Sequence, residues 1–271
     1  MPAGGLAVLK TKAITSRENA AYKAAAKLAT SSSERRRQGL SLIEGAHLLD
    51  AFLATGEAPA EILLTQAALD DAEIAGLVQR SKAARVTILS ESLFDALSGV
   101  QAPSGVIACV RTPAARKVPP NASLVLLLED LQDPGNVGTL LRSAAAAGVG
   151  HVLLSPKSAF AWSPKVLRSA MGAHFALNIV EGADLEAFIG GYRGMTVALA
   201  LDAETSLYDL DLKEPVAFVI GNEGAGLSEP LKAAVSKRAR IPMPGRMESL
   251  NAGIAGSLCL FEAVRQRGEG R

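Results

Sequence analysis

Three stretches in the second half of the chain set polar side chains among glycines and prolines: DPGNVGTLLR at 133–142, IGNEGAGLSEP at 220–230 and IPMPGRMESLNAG at 241–253. Each follows an apolar run, and the ends of such runs are where α/β folds build ligand sites. In the first stretch, Asn136 reads either as the cap of a helix beginning at Val137 or as an amide offered to a ligand. In the second, Gly221, Gly224 and Gly226 fall in the order G-x-x-G-x-G. A dinucleotide fingerprint needs G-x-G-x-x-G with an acidic residue about 20 positions on, and a phosphate loop needs Gly-Lys-Ser/Thr, so the spacing fits neither. What is left is a pliable loop carrying Asn222 and Glu223, suited to close approach by a ligand. In the third, Pro242, Pro244 and Gly245 make residues 240–247 an irregular loop with free backbone groups. Ser249, Leu250 and Asn251 then open a helix. Its Ala252, Gly253, Ala255 and Gly256 would let a second backbone come close, within the chain or across a dimer.

Such loops work only if regular elements hold them. Residues 124–128 are LVLLL, a run expected of a parallel strand covered on both faces, and it ends in Glu129 and Asp130. The following helix should pack Val137, Leu140, Leu141, Ala144, Ala145 and Gly148 along one stripe, leaving Arg142 off it. Strands are predicted at 151–154, 195–199 and 216–220, with helices at 164–171 and 185–189. The simplest architecture is a doubly wound α/β sheet. The prolines of RTPAARKVPPN at 111–121 interrupt the apolar pattern. We therefore expect two domains, 1–112 and 122–271, joined by a linker at 113–121. In the first, helices are predicted at 46–53 and 69–84 and strands at 61–64, 85–89 and 104–110, a small α/β unit.

Composition narrows the partners. The chain has 271 residues, net charge +1, two cysteines without CxxC spacing and three scattered histidines, so neither a disulfide framework nor a metal site is indicated. No apolar run reaches the roughly 18 residues of a membrane span. Cations cluster at the amino end, where Lys10, Lys12, Arg17, Lys23, Lys27, Arg35, Arg36 and Arg37 face only Glu18 and Glu34 within the first 39 residues. That segment is either a surface for a polyanion or a solvated basic helix. Those two glutamates also break any transit-peptide pattern, and the expected location is the cytoplasm.

Taken in order, Asn136-x-Gly138-x-x-x-Arg142, then Ile220 to Gly226, then Ile241-Pro-Met with Ser249-Leu-Asn251 resemble the three motifs of SpoU/TrmH-type RNA ribose 2′-O-methyltransferases. The resemblance runs from Leu124 to the end. At the amino end, ITSRENAAYK at 14–23, the arginines at 35–37, LIEGAHLL at 42–49 and APSGVIACV at 102–110 are similar to an RNA-substrate-binding domain carried by many such enzymes. After Ser-Leu-Asn the family often has Val-Ser, whereas this chain has Ala252-Gly253.

The resemblance implies an α/β domain whose carboxyl-terminal segment forms a deep trefoil knot, S-adenosylmethionine held in the knot, and a homodimer completing the site. By it, Gly221, Ile241, Met243 and Leu250 would hold the cofactor. Asn136, Arg142, Glu223, Ser249 and Asn251 would surround the reaction centre, with Glu223 orienting Arg142 or the target nucleotide. Arg35, Arg36, Arg37, Lys165 and Arg168 would meet RNA. Arg142 is the family's proposed activator; a guanidinium makes a poor general base, and binding phosphate or a developing oxyanion suits it better. The expected substrate is a ribose 2′-hydroxyl in structured RNA, with 23S-type ribosomal RNA ahead of transfer RNA. A nucleotide-binding oxidoreductase and a non-catalytic RNA-binding module are the competing classes.

Overall fold

A computed structural model of the chain describes residues 11–268, so Lys10 of the basic start lies outside the described residues. The chain divides into two compact units, 1–113 and 114–271. The first contains strands β1 (Thr11–Ile14), β2 (Leu40–Glu44), β3 (Glu61–Thr65), β4 (Val86–Leu89) and β5 (Val106–Arg111). Its helices are α1 (Ala20–Thr30), α2 (Ser32–Gln38), α3 (Ala46–Leu53), α4 (Gln66–Asp70), α5 (Ala72–Arg80) and α6 (Glu91–Leu97). The strands form one mixed sheet in the order β1-β4-β3-β5-β2, over a core that includes Ile14, Leu28, Leu63, Phe94 and Ile107. The single helix expected at 69–84 is two. Asp71 ends the first and caps the second, its Oδ1 accepting from the N–H groups of Glu73 (2.9 Å) and Ile74 (3.0 Å).

The second unit contains β6 (Leu124–Leu128), β7 (His151–Leu154), β8 (Asn178–Val180), β9 (Met195–Leu199), β10 (Val216–Ile220) and β11 (Lys237–Ala239). Helices α7 (Pro134–Ala146), α8 (Pro164–Ala170), α9 (Leu185–Gly191), α10 (Glu229–Ala234) and α11 (Ala252–Arg267) accompany them. The sheet is parallel, in the order β11-β9-β10-β6-β7-β8. All residues of β6 and β10 are buried, as continuous apolar runs in a parallel sheet should be. Residues 114–121, which composition sets apart as a linker, belong with this unit. The Asn178 side chain mimics a peptide group toward Arg116, accepting its N–H at 2.8 Å and donating to its C=O at 2.9 Å. At the other end of the unit Arg267 donates to the carbonyls of Leu212 (2.9 Å), Glu214 (2.8 Å) and Ser123 (3.1 Å), fastening the last turn of α11 to the entries of β6 and β10.

Helix α7 starts earlier than expected. Asp133 is its cap, Pro134 fills the first turn where a missing N–H costs nothing, and Asn136 is therefore released from capping. Of the expected stripe, Val137, Leu140, Leu141 and Ala144 are fully buried, but Gly148 lies beyond the helix at φ +74° and is exposed. Helix α7 packs on α8 and α11 so closely that a Cβ at Gly138 would meet Ser169 Oγ at 1.8 Å, and one at Gly256 would meet Leu140 Cδ2 at 2.4 Å.

His174 gives this unit a pH dependence. It is 1% exposed, its Nε2–H donates to the Ala161 carbonyl at 2.7 Å, and its ring lies 4.8 Å from that of Trp162. Burial pulls its pKa down to about 4, against partial compensation from the Ala161 hydrogen bond. The unfolded chain takes up a proton near pH 6.5 and the folded one does not, so stability present at neutral pH is lost as pH falls from about 6.5 toward 4. The expected loss is about 3 kcal/mol. Urea unfolding at a series of pH values should show the wild type losing that much more than His174→Gln; parallel curves would remove the effect from His174.

Candidate active site

Chain order along the second sheet reverses between β6 and β10, which are paired in register from Leu124↔Val216 to Leu128↔Ile220. The loops leaving these two strands therefore part in opposite directions and open a crevice at their carboxyl ends. The loop after β10 begins with Gly221, where a Cβ would lie 2.5–2.6 Å from backbone atoms of Gly226. Any larger residue would force the loop open. Asn222 closes it: its N–H and C=O pair with Gly226 at 3.0 and 2.9 Å, and its Oδ1 accepts from the N–H groups of Gly224 and Ala225 at 2.9 Å each.

Glu223, next in the loop, reaches across to the segment after β6. Its carboxylate accepts from the backbone N–H of Gln132 (3.2 Å) and Asp133 (3.0 Å) and from Asn136 Nδ2 (3.1 Å). A carboxylate only accepts, so the amide nitrogen of Asn136 must face it, leaving Asn136 Oδ1 to accept from Asn251 Nδ2 at 2.8 Å. Asn251 Oδ1 in turn caps α11, accepting from Gly253 N–H (2.9 Å) and Ile254 N–H (3.2 Å). One directional relay, Gly253/Ile254 to Asn251 to Asn136 to Glu223, thus joins all three polar stretches. Burial alone would raise the Glu223 pKa, but hydrogen bonds from Asn136 and from backbone N–H groups outweigh it and hold the carboxyl below its ordinary value. Glu223 is consequently a poor proton acceptor, and its partner is Asn136 rather than Arg142.

The relay forms one wall of a cavity of about 420 Å³. Asn136, Glu223, Ser249 and Asn251 line it, and so do Gly221, Ile241, Met243 and Leu250. Ile220, the first residue of the second motif, lines it too, and so do Leu201 and Arg240, which belong to none of the three motifs. Leu201 and Arg240 sit just past β9 and β11, and the only sequence signal for them is that position. Arg142 does not line the cavity. It is exposed on α7, between the contacts that α7 makes with α11: Thr139 Cβ lies 3.3 Å from where a Cβ of Gly253 would be, and Ser143 Oγ accepts from Ser257 Oγ at 2.7 Å.

The basic residues divide. Arg35 is 4% exposed and turned inward, donating to the carbonyls of Leu28 and, at 3.1 Å, Ala29, so it fastens α2 to α1 and offers no charge to a ligand. That corrects its expected RNA contact; an unfilled turn of carbonyls at the end of α1 recruits the nearest guanidinium. Arg36 and Arg37 are exposed, with Arg37 forked onto Glu34 at 2.6 and 3.2 Å. Hydrogen bonds from Arg37 and Gln38 draw the Glu34 pKa down to about 2. Lys165 is exposed, 3.8 Å from Asp133, and Arg168 is half-buried. Among the described residues no cluster of His, Cys, Asp or Glu could hold a metal, and no helix is long and apolar enough to cross a membrane.

Residues 123–261 match the model of the SpoU rRNA Methylase family, and residues 19–108 match an MRM3-like substrate binding domain. The chain is 33% identical to an uncharacterized tRNA/rRNA methyltransferase of Synechocystis sp., over 86% of each chain. It is 31% identical to the 23S rRNA (guanosine(2553)-2'-O)-methyltransferase RlmP of Bacillus subtilis, over 92% of this chain and 98% of that one. The SpoU methyltransferase AviRb of Streptomyces viridochromogenes, solved in complex with AdoMet, superposes with a TM-score of 0.83 at 28% identity, covering 94% of this chain and all of the other.

Proposed function

This chain belongs to the SpoU rRNA methylase family, and from that premise we propose that it transfers the methyl group of S-adenosylmethionine to a ribose 2′-hydroxyl of structured RNA, 23S-type ribosomal RNA being the favoured target. The observation that carries the reading is the relay through Glu223, Asn136 and Asn251, which brings three separate stretches to one cavity. The cavity's size is within the roughly 300–1,000 Å³ of small-molecule pockets, and its mixture of apolar side chains, glycines and polar side chains fits an adenosine. Gly221, Ile241, Met243 and Leu250 would hold it.

S-Adenosylmethionine supplies an electrophilic methyl on a sulfonium centre. The protein must bring a ribose oxygen in line with that methyl, exclude competing water and favour the oxygen's developing negative charge. Asn136, Ser249 and Asn251 offer neutral hydrogen bonds for positioning. Glu223, saturated by donors, orients Asn136 rather than taking the proton. Arg142, outside the cavity on an exposed helix face, would meet the RNA strand, its guanidinium gripping phosphate and stabilising the oxyanion.

The wider reading includes a cytoplasmic homodimer and a knotted carboxyl-terminal domain at 122–271, with 1–112 binding RNA through exposed Arg36 and Arg37, and Lys165 and Arg168 adding contacts near α8. The dimer is supported by α11. Its inner face buries Gly253, Gly256, Cys259, Leu260 and Ala263, yet Ile254, Leu258 and Phe261 form a second apolar stripe, 52%, 38% and 47% exposed. Such a stripe suits a second copy of the chain.

Calorimetry with S-adenosylmethionine and NAD in parallel, followed by mapping of 2′-O-methyl marks on 23S ribosomal RNA, tests the function. Binding of the first ligand alone, with a new mark on the RNA, is the expected outcome. NAD binding without S-adenosylmethionine binding would overturn the proposal.

A further inference from the structure

Three non-glycine residues among those described have positive φ: Lys82, Asp130 and Met171, each at 51°. Lys82 and Met171 follow the ends of α5 and α8, where left-handed residues are ordinary terminators. Asp130 has no such excuse. It lies between β6 and α7, and the left-handed backbone costs a residue with a Cβ about 1 kcal/mol or more. The surrounding contacts hold it there. Its N–H donates to Ser155 Oγ at 2.7 Å, its Oδ1 accepts from the same hydroxyl at 2.6 Å, and Lys157 Nζ lies 3.6 Å from its Oδ2. Ser155 is 8% exposed and belongs to the turn that leaves β7.

The consequence falls on the Asp130 carbonyl, which accepts from Asn222 Nδ2 at 2.8 Å. Asn222 is the residue that gathers the Gly224 and Ala225 N–H groups and closes the 221–226 loop. Rotation of Asp130 into an ordinary extended conformation would turn the carbonyl away and leave the Asn222 amide held only through its Oδ1, with its Nδ2 anchor gone. We propose that Asp130 and Ser155 are positioning residues for the cofactor: acting through Asn222, they hold the loop after β10 in the shape that receives S-adenosylmethionine. Neither lines the cavity. The inference rests on the reading of this cavity as the S-adenosylmethionine site.

Three variants test it. Asp130→Val removes the carboxylate and puts a β-branched residue where φ is positive, so S-adenosylmethionine Kd and KM should rise about tenfold while kcat at saturating cofactor stays within about threefold. Hydrogen exchange of the Gly224 and Ala225 amides should quicken in the same variant. Asp130→Asn tolerates the left-handed backbone and still accepts from Ser155, so it should bind within about threefold of wild type. Ser155→Ala keeps the backbone residue and removes its anchor, so a Kd increase of about threefold is expected, and this variant decides the matter if Asp130→Val fails to fold. A folded Asp130→Val with wild-type Kd and wild-type amide exchange overturns the inference, as does an Asp130→Asn that falls as far as Asp130→Val, or an unaffected Ser155→Ala. All three results presuppose that the wild type binds S-adenosylmethionine; if it does not, the reading of the cavity falls together with this inference.

Discussion

Arg142→Ala is expected to lower methyl transfer at least a hundredfold while leaving S-adenosylmethionine affinity within about twofold of wild type. The separation follows from position. Arg142 is exposed on α7 and is not among the residues lining the cavity, so its deletion takes no contact from the cofactor. On the proposed reading it would remove a charge-assisted contact to the negative charge that develops on the ribose oxygen or sits on the neighbouring phosphate, and losing such a contact costs about 3 kcal/mol. Arg142→Lys should recover little, because a mobile point charge cannot reproduce the planar fork of the guanidinium. Turnover on the RNA target measured beside calorimetric cofactor binding separates the two effects. Near-normal turnover of Arg142→Ala would remove the catalytic role from this residue.

The second large effect is expected from Asn136→Asp. This substitution changes one atom of the side chain, yet it points a second carboxylate at Glu223 Oε1, which the Asn136 nitrogen now approaches at 3.1 Å. Two like charges at about 4 Å repel by about 4 kcal/mol at an effective dielectric of roughly 20, and partial exposure of Glu223 screens some of that. The relay breaks between position 136 and Glu223, loosening the loop after β10, while an aspartate oxygen at 136 can still accept from Asn251 Nδ2. Turnover should fall on the order of a hundredfold near pH 7.5. The defect should shrink as the pH is lowered toward 5, because repulsion raises the proton affinity of the carboxylate pair, and one shared proton restores the missing donor. Asn136→Ala, which cannot recover a donor, should show a loss independent of pH over that range. A constant ratio of Asn136→Asp to wild-type turnover would mean that the polarity of the relay does not matter.

Much of the scaffold was legible because burial writes itself into composition. The runs Leu124–Leu128 and Val216–Ile220 become strands to the residue, and Ala46–Leu53 a helix to the residue, since each is decided by its own apolar content. What escaped depends on partners distant in the chain. The strand Lys237–Ala239 carries two exposed cations and gains its identity only by pairing with β9. Asp71 and Asp133 could each have been a cap or a surface carboxylate, and the choice made at Asp133 is what frees Asn136 for the site. Arg35, one of three consecutive arginines, turns inward because α1 ends beside it, a circumstance invisible in a charge count. The site itself shows the same division. Family resemblance named residues in three stretches, but the link from Asn136 to Asn251 spans 115 positions, and no local spacing announces it.

The contact between α7 and α11 has an implication for how this sequence can change over generations. Gly256 faces Leu140 Cδ2 with no room for a methyl group, and Ile220 of the central strand closes the same gap from 3.2 Å. A larger residue at 256 would require the buried Leu140 side chain to move aside, next to the helix whose first residues line the cavity. Shortening the branch at 140 would make room for it, and a shortened 140 without a larger 256 would leave a void costing about 2–5 kcal/mol. Among related sequences, a larger residue at 256 is therefore expected to accompany a smaller one at 140.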